Sequence, residues 1–251
     1  MLNPDLPDRA SALFFDFDGT LVDIAPRPDA VAVEPGVPEL LARLASLLGG
    51  AVAVVSGRPL SDIDQHLQLA RLPAAGVHGA ERRGADGLVR RIAVGALDEP
   101  AALIDALVKR HPGLRAEYKP GAIALHYRQA PELEDECIAT MTEAMRRIDG
   151  MALMRGKKVV ELKPRRASKG FAVRSFLDER PFRHRRPWFF GDDVTDEAAF
   201  ELVQSLGGVA VKIGEGETLA AHRLSDPAAM REWLVRAVER LAGAPAARVT
   251  P

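Results

Sequence analysis

Short apolar runs alternate with amphipathic helical stretches at both ends of this chain, and that alternation leaves few folds open. Residues 12–15 form a buried-strand run that ends in Asp16. A helix over 35–48 follows, opened by Pro35-Gly36 and closed by Gly49 and Gly50, with Val37, Leu40, Leu41, Leu44, Leu47 and Leu48 on one face. Residues 51–55 are a second apolar strand, stopped by Ser56-Gly57; Pro59 suits the first turn of another helix, and 74–78 read as a third strand. From Ser168 the alternation resumes. A helix runs through Phe171, Phe176 and Leu177, and an aromatic strand over 188–190 ends in Gly191. Thr195 is then expected to cap a helix with Asp196 and Glu197 in its first turn. A strand over 209–212 and an amphipathic helix from Asp226-Pro227 complete the pattern. Strand and helix in turn build a Rossmann-like α/β fold, a parallel sheet with helices on both faces.

The middle of the chain follows a different order. A helix over 100–110 precedes strands over 114–117 and 122–127, joined by the Lys119-Pro120-Gly121 turn. A longer helix from Pro131 carries Cys137, Ile138, Met141, Met145 and Ile148 at helical spacing, and strands over 151–154 and 159–162 follow. This predicts a small α+β module, residues 93–164, inserted into a domain made of residues 1–92 and 165–251.

Charge and cysteine content narrow the function classes. The 34 Lys+Arg against 35 Asp+Glu leave a net charge of -1, which argues against nucleic-acid binding through bulk positive charge and against a polybasic membrane anchor. One cysteine, Cys137, permits no internal disulfide and no cysteine zinc site, and the six histidines show no i, i+4 ligand pair. Cys137 lies on an apolar helix face and reads as packing, and Arg183-His184-Arg185-Arg186 reads as a solvated loop. The longest uncharged run, 44–57, falls short of the ~20 residues of a membrane span. The N-terminus shows neither the basic start nor the apolar core of a signal peptide. A cytoplasmic monomer without nucleic-acid or membrane partners is the expectation.

Four polar clusters fall at or beside the carboxyl ends of the predicted strands, the edge where open parallel sheets bind ligands. The first is Asp16-Phe17-Asp18-Gly19-Thr20. Two carboxylates two residues apart suit a hard cation with oxygen ligands, and Gly19 lets the chain turn and present its amides to an anion. The second, Ser56-Gly57-Arg58, offers a hydroxyl and an unhindered amide at a helix start, which serves an anion but is also an ordinary loop. The third, Ser168-Lys169-Gly170, puts a lysine in a first helical turn, where the dipole disfavours it and a compensating anion is expected. The fourth, Gly191-Asp192-Asp193-Val194-Thr195-Asp196, supplies Asp192 as a further carboxylate for the cation, with Asp193 or Asp196 to orient ligands. Carboxylates, a cation, a hydroxyl and an ammonium around one anion are the equipment of phosphoryl transfer, and a carboxylate nucleophile divides that reaction through an aspartyl-phosphate.

With these motifs in this order the chain resembles the haloacid dehalogenase superfamily of phosphotransferases. More narrowly, it resembles the trehalose-6-phosphate phosphatase family. The strings that carry this are SGRP at 56–59, VHGAE at 77–81, EYK at 117–119, LHYR at 125–128, GKKVVELKP at 156–164, SKG at 168–170 and GDDVTDE at 191–197. The resemblance implies a Mg2+-dependent phosphatase that releases trehalose and phosphate in trehalose biosynthesis, with the inserted module as the family's α/β cap. It implies Asp16 as nucleophile, Asp18 as general acid and then base, and Asp16, Asp192 and the Asp18 carbonyl as Mg2+ ligands. Ser56 and Lys169 would hold the phosphoryl group with Thr20 and Gly57 assisting, while Glu117, Lys119, Arg128, Lys158 and Glu161 would face the sugar. The rival readings are a phosphatase for sucrose phosphate or mannosyl-phosphoglycerate, a phosphosugar mutase, and a non-enzymatic phosphosugar sensor. A sensor has no use for the Asp18 side chain.

Overall fold

The structure is a computed structural model of the 251-residue chain and describes residues 4–25, 30–68 and 72–243. Its elements run β1 (Ser11–Phe15), α1 (Val37–Leu47), β2 (Val52–Val55), α2 (Leu60–Leu67), β3 (Ala74–Gly76), β4 (Glu81–Arg83) and β5 (Val89–Arg91). Then follow α3 (Asp98–Arg110), β6 (Arg115–Lys119), β7 (Ala122–His126), α4 (Glu134–Arg146), β8 (Met151–Gly156) and β9 (Val159–Pro164). The last described elements are α5 (Lys169–Leu177), β10 (Arg186–Gly191), α6 (Glu197–Ser205), β11 (Val209–Ile213), β12 (His222–Leu224) and α7 (Pro227–Gly243). It divides into two compact units, Met1–Val89 with Ser168–Pro251, and Arg90–Ala167. Among the described residues no helix is long and apolar enough to cross a membrane.

The first unit is built on a sheet in the order β12-β11-β10-β1-β2-β3-β4-β5. From β12 to β3 neighbouring strands are parallel, and β4 turns antiparallel to β3. All five residues of β1 are buried, as a strand covered on both faces requires. On one face Phe14 lies 5.3 Å from the Phe182 ring and 5.9 Å from that of Phe176 in α5. On the other, Phe15 stacks on Phe190 at 5.1 Å, and Phe190 meets Trp233 of α7 at 4.5 Å. β1 is followed in sequence by β2 on one side, while β10 returns on its other side, so strand order reverses at β1. Ligands bind in the crevice at such a switch point, outside the carboxyl ends of the strands. Phe15 pairs with both Phe190 and Val54, so the residues that follow β1, β10 and β2 emerge at one edge.

Three local departures from the expected pattern have physical causes. The strand expected over 74–78 ends at Gly76, and Val77 and His78 turn with φ of 49° and 54°. Their amides donate to Arg58 and Ser56 carbonyls at 2.9 Å instead of extending the ladder. β4 carries only charged residues yet is buried, because Arg82 pairs with Glu179 and Arg83 with Asp64, each at 2.6 Å, while Glu81 accepts from the Leu60 amide at 2.8 Å. The cap expected at Thr195 belongs to Asp193, whose side chain accepts from the Val194 amide at 2.6 Å and forms a reciprocal capping box with Asp196. A single 3-10 turn, Val194–Asp196, separates that cap from α6.

The second unit is an antiparallel sheet in the order β6-β7-β9-β8 with α3 and α4 on one face. Its core joins Ile104 and Leu107 of α3, Cys137 and Met141 of α4, and Ile123, Leu125, Val160 and Leu162 of the sheet. Because side chains alternate, Glu117, Ala124 and Glu161, which are in register across β6, β7 and β9, share the opposite face.

Candidate active site

Asp16 is the first residue past β1, and its amide donates to the Phe190 carbonyl at 2.8 Å. Its side chain is 5% exposed. An isolated carboxylate is costly in such a place, and Lys169 answers it with Nζ 2.8 Å from Oδ1. The same ammonium lies 2.7 Å from Oδ1 of Asp196, which has no exposure at all. Lys169 reaches this position because Ser168 caps α5, its Oγ accepting from the Phe171 amide at 3.0 Å. The lysine that the helix dipole disfavours is therefore held by two buried carboxylates. Burial works to lower its pKa, and Asp16 and Asp196 overcome that and raise it, so it stays an ammonium.

Asp192 follows β10 and completes a carboxylate cluster with Asp16 and Asp196, whose ligand oxygens all lie within 4.8 Å of one another. Burial pushes the Asp16 carboxyl well up despite Lys169, with Asp196 and Asp192 adding to the shift. Burial and then Asp196 push Asp192 up to about 6, and burial also raises Asp196. Three close carboxylates against one ammonium leave an excess of negative charge that a hard divalent cation would neutralise, and every donor is an oxygen. The three do not have equal roles. Asp196 Oδ1 already takes Lys169, and Oδ2 takes the Asp192 and Asp193 amides at 3.1 and 3.0 Å. Asp16 and Asp192 are thus the side chains suited to hold the cation, with Asp196 orienting them.

Gly19 explains why this turn tolerates no side chain. It sits at φ 73°, and a Cβ there would come within 2.1 Å of Asp192 Oδ2. Thr20, fully buried beside it, has a hydroxyl with no hydrogen-bond partner among the described residues. Ser56 follows β2, is buried, and accepts from the Arg58 amide at 3.1 Å, which leaves its own O–H to donate. Gly57 is packed against His78, whose ring would lie 2.7 Å from an added Cβ. Asp18 is partly exposed and accepts from one edge of the Arg58 guanidinium, Nε to Oδ2 at 2.7 Å and Nη2 to Oδ1 at 2.8 Å. Asp16, Asp18, Gly19, Thr20, Ser56, Gly57, Lys169, Asp192, Asp193 and Asp196 all belong to the first unit, on or just past β1, β2 and β10 or at the start of α5.

Within the Ser56-Gly57-Arg58 cluster the sequence assigned Arg58 no role of its own, and it did not single out Lys212. Arg58 carried a signal in its place directly after Ser56-Gly57. Lys212 carried another, since it interrupts the apolar run of β11 with a charge between Val211 and Ile213.

In the second unit, Glu161 is buried and paired with Lys119 at 2.9 Å, and Glu117 lies 2.8 Å from His126 Nε2. That hydrogen bond holds the Glu117 carboxyl below its usual range. These residues share the polar face of the sheet. Lys158 and Arg128 stand apart from them. Lys158 precedes β9 in a left-handed turn, φ 64°, with Nζ 3.4 Å from Glu134 and 5.8 Å from the centre of the Tyr127 ring. Arg128 donates to the Lys157 carbonyl at 3.4 Å.

Residues 14–229 match the trehalose-phosphatase family. The chain is 43% identical over 226 residues to the trehalose-6-phosphate phosphatase of Escherichia coli K12, covering 89% of this chain and 85% of that one. Among solved structures, a trehalose-6-phosphate phosphatase related protein superposes with a TM-score of 0.71 at 28% identity, over 91% of this chain and 98% of the other. A phosphatase of the haloalkanoate enzyme superfamily from Bacteroides thetaiotaomicron shares the fold, with a TM-score of 0.62 at 14% identity over 92% and 95% of the two chains.

Gly19→Ala tests the packing at the centre of this site. The added methyl must displace the Asp192 carboxylate, so turnover is expected to fall about a hundredfold, as for an ~1 Å misplacement of a reacting group. Circular dichroism should still report a folded chain. Wild-type turnover by this variant would show that the Gly19–Asp192 contact does not matter.

Proposed function

The chain belongs to the trehalose-phosphatase family, and from that premise we propose that it hydrolyses trehalose 6-phosphate to trehalose and phosphate through an aspartyl-phosphate at Asp16. The observation that carries this reading is the Lys169 ammonium clamped between Asp16 and Asp196, with Asp192 beside them, at the switch point of the sheet. In the first half-reaction an Asp16 carboxylate oxygen attacks phosphorus and the bond to the sugar oxygen breaks. Asp18 gives its proton to that leaving oxygen, so trehalose departs neutral. In the second half-reaction Asp18, now a carboxylate, takes a proton from the water that attacks the same phosphorus. The bond between phosphorus and the Asp16 oxygen breaks, phosphate is released, and the Asp16 carboxylate and the protonated Asp18 are regenerated.

Lys169, Ser56, Thr20 and the Gly57 amide are the donors for the phosphoryl oxygens, where negative charge must be stabilised as the bonds change. Asp18 is held by Arg58, so proton delivery requires it to exchange those bonds for the leaving oxygen. Mg2+, held by Asp16, Asp192 and the Asp18 carbonyl, would supply electrostatic stabilisation of the phosphoryl group. Asp193 and Asp196 would keep Asp192 in place through the capping box and its amide bonds.

Sugar recognition is assigned to the second unit on side-chain chemistry. Glu117, Lys119 and Glu161 are charged donors and acceptors on one sheet face, suited to the hydroxyls of a disaccharide. Arg128 and Lys158 would contribute from the loops that bracket β7 and β9.

Asp16→Asn is expected to lower turnover about a thousandfold or more, because an amide is a far poorer nucleophile, and Asp18→Asn about a hundredfold or more, because the proton donor is gone. Phosphate release measured with Mg2+ present checks both, and near-wild-type turnover by Asp16→Asn would sink the covalent route.

Sugar reading has its own test. Glu161→Gln keeps the side chain's size beside Lys119 and removes its charge. It should lower kcat/KM for trehalose 6-phosphate about tenfold to a hundredfold and leave p-nitrophenyl phosphate nearly unaffected. Equal losses on both substrates would mean that Glu161 supports the fold instead.

A further inference from the structure

One buried cation beside the carboxylate cluster has no part in the chemistry above. Lys212, the fourth residue of β11, is 5% exposed, and its Nζ donates to the backbone carbonyl of Asp192. Among the described residues it has no carboxylate partner. An ammonium in such a place is a poor choice for packing alone, since a methionine would fill the same space without desolvating a charge.

The surroundings of Asp192 suggest what it does. The N–H of Asp192 and that of Asp193 both donate to Asp196 Oδ2, at 3.1 and 3.0 Å. The Asp192 carbonyl takes Lys212 on the opposite edge of the peptide that carries the Asp193 N–H. Peptide groups are planar, so pinning the two that flank one Cα fixes both backbone torsions of that residue. Only the side-chain torsions of Asp192 then remain, and the face of Gly19 limits where its carboxylate can go.

We propose that Lys212 is a positioning residue for the cation site, fixing the Asp192 peptide so that its carboxylate stays aimed at the cation it shares with Asp16. The proposal rests on the cation reading given above. Lys212 acts by donating a hydrogen bond and not by its charge, because a positive charge near a divalent cation opposes binding. These two effects have opposite signs, so they can be separated.

The experiment is calorimetric titration of the full chain with MgCl2, without substrate, on wild type, Lys212→Met and Lys212→Gln, with thermal unfolding measured alongside. Lys212→Met loses the donor and should bind Mg2+ about tenfold more weakly, the usual effect of removing a group that orients a ligand. Lys212→Gln keeps an N–H donor one atom shorter and should stay within about threefold of wild type. Unchanged or tighter binding by Lys212→Met overturns the proposal, and a shift in thermal midpoint without loss of affinity reduces Lys212 to a packing residue. If Lys212→Met does not fold, Lys212→Gln decides alone, since an affinity outside that range in either direction contradicts donation. Wild type that binds no Mg2+ removes the cation reading, and this proposal with it.

Discussion

The structure depends on one ammonium in a place that water barely reaches. Lys169 lies within 2.8 Å of Asp16 and 2.7 Å of Asp196, and all three side chains are almost wholly buried. A buried ion pair of this kind adds little net stability, because desolvating the charges offsets most of their attraction. Its value is positional. Ser168 starts α5 where Lys169 can reach Asp16, and Asp196 holds the same ammonium from the other side while tying down the amides after β10. Gly191 permits this closeness, since a Cβ there would come within 2.3 Å of the Asp196 carboxyl. Remove the ammonium, and Asp16 and Asp196 are left as buried, uncompensated charges.

The two units present different chemistry. In the first, hydroxyls, amides, carboxylates and the ammonium collect past β1, β2 and β10, and all of them suit phosphate or a cation. None of them distinguishes one sugar phosphate from another. The second unit carries a sheet face with Glu117, Lys119 and Glu161, where charged groups are paired and largely withdrawn from water. Hydrogen bonds to such groups discriminate between polyols sharply, because a buried donor or acceptor that loses its partner is costly.

Much of this was legible in the sequence wherever one residue type had one physical explanation. The run from Ala12 to Phe15 fits only a strand covered on both faces, and Asp16 and Asp18 at its end had no packing role. Lys169 stood out because a helix start disfavours it. The polar strand β4 was hidden because its charges are cancelled by partners far along the chain, Glu179 for Arg82 and Asp64 for Arg83. His78 left the expected strand because its amide found a partner in the Ser56 loop. Thr195 and Asp193 are both good caps by composition, and the reciprocal bond to Asp196 decides between them. On the second unit, the strand expected over 159–162 begins just after Lys158. The structure puts Lys158 outside the strand altogether, in a left-handed turn that the sequence does not advertise with a glycine at that position.

The central claim is that Asp16 becomes covalently phosphorylated during turnover. Acid quenching of the chain while it hydrolyses trehalose 6-phosphate, followed by borohydride reduction and peptide mass spectrometry, tests this directly, because borohydride converts an aspartyl-phosphate to homoserine. Homoserine is predicted at position 16 and nowhere else. Its absence there under turnover, or its appearance at Asp192 or Asp18 instead, would contradict the account.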